Sequence, residues 1–123
     1  MSRVERDLEK AQQKSRKLGL HKIDRHILLC CDLEERGCAG RKRMEQSWSF
    51  LKRRLKEMGL SGPGKVYRSK THCLRICEGG PIAVVYPEGI WYGRCDPPVL
   101  ERILKEHLEG GQPVKEFIVA RRN

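Results

Sequence analysis

The sequence predicts an α/β layered domain built on a mixed β-sheet. Three observations carry this prediction. The apolar run His26-Ile27-Leu28-Leu29-Cys30-Cys31 is followed by an amphipathic helical stretch and then by a second β-prone run, Val66-Tyr67-Arg68. Two further apolar runs, residues 82–86 and Ile90-Trp91-Tyr92, flank Pro87-Glu88-Gly89. A last helical stretch opens at Asp96-Pro97. A strand–helix–strand unit makes its two strands parallel through a right-handed crossover, and a hairpin is antiparallel, so the sheet is mixed.

The elements follow in chain order. Residues 2–18 carry Val4, Leu8, Ala11 and Leu18 at helical spacing and stop before Gly19. The stripe is thin and the other positions are charged, so this helix is expected on the surface or against a partner. The run 26–31 reads as a buried strand, followed by a polar loop over 32–40. Met44, Trp48, Leu51, Leu55 and Met58 alternate at spacings of four and three, giving a helix over 42–58. Gly59 is its stop, and Leu60 supplies the hydrophobic contact that follows such a stop. Ser61-Gly62-Pro63-Gly64 is a turn. In the hairpin, Pro87 is expected to set the first turn dihedral and Gly89 to take the left-handed position. Asp96 is expected to cap the last helix with its carboxylate, ahead of Pro97 at the first helical position. Leu100, Ile103, Leu104 and Leu108 form that helix's core face, Gly110-Gly111 end it, and residues 114–119 add a final edge strand.

A chain of 123 residues supports one ordinary domain. No apolar run reaches the roughly 20 residues that span a bilayer. The charged N-terminus has no apolar signal core, so the protein is expected in the cytoplasm and away from membranes. The net charge of +10 points to a soluble basic surface, to nucleic acid or to an acidic protein partner. The basic residues are scattered, at Arg41-Lys42-Arg43, Lys52-Arg53-Arg54 and Arg121-Arg122, with no aromatic-interleaved stripe. That disfavours nucleic acid. No catalytic triad, phosphate-binding loop or nucleotide fingerprint is present, so an enzymatic role has no residues to carry it.

The cysteines are the most informative feature. Six in a chain kept in a reducing compartment point to metal ligation or redox chemistry. Cys30 closes the first strand, Cys38 lies in the loop after it, and Cys73 and Cys77 bracket Leu74-Arg75-Ile76 after the second strand. If those strands are parallel neighbours, both loops leave the same sheet edge, where open α/β sheets place their sites. Two pairs from adjacent loops suit a tetrathiolate site. Spacing alone does not choose the metal. The first pair is too wide for a zinc knuckle, and the thioredoxin Cys-x-x-Cys and plant-ferredoxin spacings are absent.

These residues resemble the thioredoxin-like [2Fe–2S] ferredoxin family over roughly residues 25–119. The likeness rests on the strand ending in Cys30, the Cys38 loop, Ser47-Trp48 leading to Leu51-Lys52 and Leu55-Lys56, and Cys73-Leu74-Arg75-Ile76-Cys77 followed by Gly80-Pro81. It continues through Val84-Val85-Tyr86-Pro87-Glu88-Gly89-Ile90-Trp91-Tyr92-Gly93 and Glu106-His107-Leu108. The resemblance implies a thioredoxin-like mixed sheet with flanking helices, to which residues 1–20 add an extra N-terminal helix. The domain itself would cover 21–123. It further implies a [2Fe–2S] cluster on Cys30, Cys38, Cys73 and Cys77, one-electron transfer between oxidoreductases, and a homodimer. The alternative is a zinc- or thiol-based regulatory or nucleic-acid-binding module.

Other positions carry narrower expectations. Alternation along the strand turns Cys31 to the face opposite Cys30, as a small core residue, unless it replaces Cys30 as ligand. Cys95 reads as packing. Gly79 and Gly80 let backbone approach the sulfurs. Gly80-Pro81 stands where thioredoxin-like folds often carry a cis proline. Trp48 reads as core, whereas Trp91 and Tyr92 are candidates for a docking or dimer surface. The positive charge favours an acidic redox partner.

Overall fold

The computed structural model describes residues 2–31, 39–76 and 78–122. Helix α1 covers Arg3–Leu18 and opens with a capping box between Ser2 and Glu5. It ends at Gly19, whose φ is 71°. A Cβ there would lie 2.6 Å from the Gly64 backbone nitrogen, so only glycine lets the helix end close on the 61–64 turn. The rest of α1 buries nothing, with Val4 66% and Leu8 57% exposed.

Strand β1 is Arg25–Cys30, helix α2 Arg41–Glu57 and strand β2 Val66–Thr71. Strands β3 (Ala83–Tyr86) and β4 (Ile90–Tyr92) form the hairpin, helix α3 starts at Pro97–Arg102, and strand β5 is Ile118–Arg121. The described strands make one sheet in the order β2-β1-β3-β4-β5. β1 pairs parallel with β2 and antiparallel with β3, so the sheet is mixed as expected. Leu51 and Leu55 of α2 and Leu100, Ile103 and Leu104 of the last helix pack with Ile27, Leu29, Val85, Ile90 and Tyr92 as the main core. Arg54 grips both carboxylate oxygens of Glu101 at 2.8 Å, tying α2 to α3.

Several expectations need correction. β2 runs to Thr71, three residues beyond Arg68. Asp96 does sit at the N-cap, but its carboxylate makes no cap bond; Arg43 takes it at 2.6 and 3.1 Å, and a long-range ion pair has displaced the local one. The last helix continues over Ile103–Glu109 as a π-helix. The final strand begins four residues later than expected, because Val114 is buried ahead of a 3₁₀ turn at Lys115–Phe117. The hairpin turn holds Gly89 at φ 70°, as expected, and the Tyr86–Pro87 bond is cis.

Tyr92 is the largest correction. It is fully buried and cannot serve a docking surface. Its hydroxyl accepts from the Val114 N–H at 3.1 Å and meets His107 Nδ1 at 2.8 Å. His107 Nε2 faces Glu88 Oε2 at 3.3 Å, which favours the neutral tautomer with its proton on Nε2 and leaves Nδ1 to accept from the Tyr92 hydroxyl. That approach lacks hydrogen-bond geometry, leaving Nε2 as a charge–dipole contact. Arg25 completes the network, donating to Glu88 at 2.9 Å and to the Leu108 carbonyl at 3.3 Å. Burial raises the Glu88 carboxyl, but the Arg25 hydrogen bond, backed by its own backbone and His107, holds it below the usual range.

Burial pushes His107 below the usual histidine value, with the Glu88 contact opposing weakly, and burial does the same to His26. The unfolded chain therefore takes up these protons first as pH falls. Stability is expected to be full above about pH 6.5 and to decline below it, until the folded-state values are reached. Urea midpoints between neutral and mildly acidic pH check this, and a His107→Gln variant is expected to show a shallower decline.

Candidate metal centre

The parallel pairing of β1 and β2 decides which residues meet. Cys30 is in register with Thr71, two residues before Cys73, so both cysteines stand at the same end of the sheet. That end is the carboxyl end of both strands. Cys30 is buried, at 2% exposure, and its Sγ lies 3.7 Å from the His72 carbonyl as a thiol donor. Cys73 is exposed. Its Sγ accepts the Arg75 N–H at 3.2 Å. Arg75 reaches that position by adopting a left-handed backbone, with φ 70°, which turns the loop back over the sulfur. Cys38 and Cys77 lie outside the described residues.

Cys31 is buried, as Cys30 is. It belongs to the same apolar group as Cys30, with Met44 and Ile82, and Ala39, Leu74, Trp48 and Trp91 pack against it. Trp48 also packs against the main core, so it joins the two. Cys95 is fully buried in the main core, its Sγ 3.7 Å from the Gly93 carbonyl, consistent with packing. Trp91 is only partly buried.

The segment that leads into Ile82, whose carbonyl accepts the Cys30 N–H at 2.9 Å, is braced from two sides. Arg43 donates to the Gly80 carbonyl at 3.1 Å, and the Arg94 N–H donates to the Gly79 carbonyl at 2.6 Å. The Gly80–Pro81 bond is cis. Gly79 has φ 65°, a left-handed conformation that suits glycine at this turn. The Arg43 brace and the Arg75 N–H were missed at the sequence level. The second left no sequence signal, since almost every residue carries a backbone N–H and this one reaches the sulfur through the left-handed conformation of Arg75.

The two described thiols are compatible with an iron–sulfur group: the Cys30 sulfur is buried among apolar side chains and the Cys73 sulfur carries a backbone N–H, features that tune thiolate-ligated iron.

A mixed sheet flanked by two helices, with cysteines at the carboxyl ends of its parallel strands, defines a thioredoxin-like metal-binding domain. Comparisons with known proteins narrow that class. The chain is 36% identical over 97 residues to a 2Fe-2S ferredoxin of Clostridium pasteurianum, covering 75% of this chain and 92% of the relative. It therefore belongs to the 2Fe-2S ferredoxin family. It is 32% identical over 101 residues to a putative 2Fe-2S ferredoxin of Priestia megaterium, covering 82% and 74%. A 2Fe-2S ferredoxin of Aquifex aeolicus matches at 41% identity over 51 residues, spanning 42% of this chain and 46% of that protein. The solved thioredoxin-like [2Fe-2S] ferredoxin from Aquifex aeolicus shares the fold with a TM-score of 0.69 at 23% identity, over 80% of this chain and 93% of that one. No family model matches the chain. Among the described residues, no helix is long and apolar enough to cross a membrane.

Proposed function

We propose that this chain is a one-electron carrier that holds a [2Fe–2S] cluster on Cys30, Cys38, Cys73 and Cys77 and performs no substrate chemistry of its own. The observation that carries the reading is the juxtaposition of Cys30 and Cys73 at one sheet end, with the Arg75 N–H already on the Cys73 sulfur. When bound, the cluster supplies a reversible one-electron couple. The protein does the rest. Met44, Ile82, Leu74 and Trp91 exclude water around Cys30. The Arg75 N–H withdraws charge from the Cys73 sulfur, which favours the reduced form. Arg43 and the Arg94 backbone fix the 79–80 segment against the site. Cys73, exposed where Cys30 is buried, marks the side on which electrons enter and leave.

The same reading treats residues 1–20 as an appended helical extension to a ferredoxin domain over 21–123, working in the cytoplasm as a homodimer. Its partners are redox proteins with an acidic docking surface, attracted by the net charge of +10. An anaerobic reductive titration tests the proposal. Visible charge-transfer bands are expected to bleach with about one electron per chain. Bands that are absent, or that take no electron, would sink it. Steered docking should also weaken with salt, so electron delivery is expected to slow as ionic strength rises. A rate indifferent to salt counts against the acidic partner.

A further inference from the structure

A surface cavity of about 380 Å³ lies at the outer edge of β2, lined by Lys17, Leu18, Trp48, Pro63, Tyr67 and Arg68, with Gly62 and Val66. Its walls come from four places: the last turn of α1, the α2 residue that packs on the Cys30 group, the 61–64 turn, and the outer strand β2. The α1 wall belongs to the extension that the ferredoxin resemblance does not cover. No acidic residue lines the cavity.

Several arginines elsewhere are paired: Arg25 with Glu88, Arg43 with Asp96, Arg54 with Glu101 and Arg102 with Glu106. Among the described residues, no carboxylate pairs with Lys17, Lys52, Arg68 or Lys70. Lys52 and Arg68 instead stand 5.6 and 5.8 Å from the Trp48 ring centroid. Among the described residues, the buried Arg68 Nε has no hydrogen-bond acceptor. A buried guanidinium donor without an acceptor is costly, and an incoming carboxylate removes the cost. An aromatic floor between cations, beside an orphaned arginine, suits an acidic chain segment.

We propose that this groove is the docking site for an acidic segment of the electron-transfer partner protein. The proposal rests on the carrier reading and gives it a surface. β2 runs from Arg68 to Thr71 and on into His72-Cys73, roughly 16 Å of strand for five residues. Trp48 connects the groove to the apolar group around Cys30. A partner seated there lies beside the exposed Cys73 loop. An extended segment along the outer edge of β2 passes Arg68 and Lys70, with Lys17 on the far wall. The row of cations along this edge, extending past the cavity to Lys52 and Lys70, favours a protein segment over a compact small acid.

The test uses the full chain with its cluster and a fluorescein-labelled deca-glutamate peptide, read by anisotropy at low ionic strength. Lys17→Glu with Lys52→Glu changes only exposed side chains and is expected to weaken binding by about tenfold or more. Arg68→Gln, which keeps the size and loses the charge, is expected to weaken it by about threefold or more. Arg121→Glu with Arg122→Glu makes the same charge change at the other edge of the sheet. It is expected to cost less than about threefold. Equal losses from the two glutamate pairs would mean nonspecific attraction and overturn the proposal. So would a labelled single-stranded DNA of equal charge that binds more tightly and is lost in the same variants. Sedimentation showing a wild-type dimer broken by Lys17→Glu with Lys52→Glu would assign the groove to a second copy, and would also overturn it. The visible bands of each variant report separately on the carrier reading. Their absence from the wild type sinks that reading, while anisotropy alone decides the groove.

Discussion

Replacing Cys30 by serine is expected to remove most of the iron and the visible absorption from the purified chain. Cys30 closes β1 with 2% exposure, and its sulfur sits against the His72 carbonyl of the neighbouring loop. A serine there presents a harder, far less acidic donor to an iron site that selects thiolate. Cys73→Ser is expected to do the same, because its sulfur is the one held by the Arg75 N–H. Cys38→Ser and Cys77→Ser complete the set. Cys31→Ser and Cys95→Ala are the informative controls. Both residues are buried and stand outside the proposed ligand set, so iron should stay at the wild-type level while stability falls. Cys31 shares an apolar group with Cys30, which makes the comparison sharp. If Cys31→Ser loses iron and Cys30→Ser keeps it, the ligand assignment moves by one residue.

Tyr92→Phe is expected to destabilise the fold by about 3 kcal/mol while leaving the visible spectrum of the surviving protein unchanged. The change keeps the ring in the core and deletes one oxygen. That oxygen is the acceptor for the buried Val114 N–H and the neighbour of the fully buried His107 Nδ1. Each buried group left without a partner costs about 1–3 kcal/mol. For a domain of this size the loss corresponds to about 10 °C in the unfolding midpoint. The spectrum should hold because Tyr92 stands on β4, separated from β1 by β3, and its hydroxyl reaches away to His107 and Val114, with His107 next to Glu88 of the hairpin turn. Chemical denaturation followed by circular dichroism measures the first effect. A change below about 1 kcal/mol would mean that water replaces the hydroxyl.

The order of elements was legible because it rests on local signals. The helical spacing from Met44 to Leu55 and the glycine stop at Gly59 reappear in α2, with Leu60 N–H bonding the Leu55 carbonyl after it. The parallel β1–β2 pairing follows from the crossover rule, and it alone brings Cys30 beside the Cys73 loop. What failed was nonlocal or overlooked. Asp96 was a sound cap by neighbourhood, but Arg43, distant in sequence, competes for its carboxylate. The burial of Tyr92 was readable: Ile90 and Tyr92 share a face of β4, and Ile90 is plainly core. The π-helical turn over Ile103–Glu109 leaves no pattern in a helix whose apolar face already satisfies the core. The choice of metal was never in the spacing. It came from the family likeness, since the same thiols could hold zinc.

The account stands on iron and inorganic sulfide held by thiolates. Metal and sulfide analysis of anaerobically purified wild-type protein tests this most directly. It should give about two iron and two sulfide per chain, with visible colour and no zinc. A colourless chain carrying zinc, or no metal at all, contradicts it.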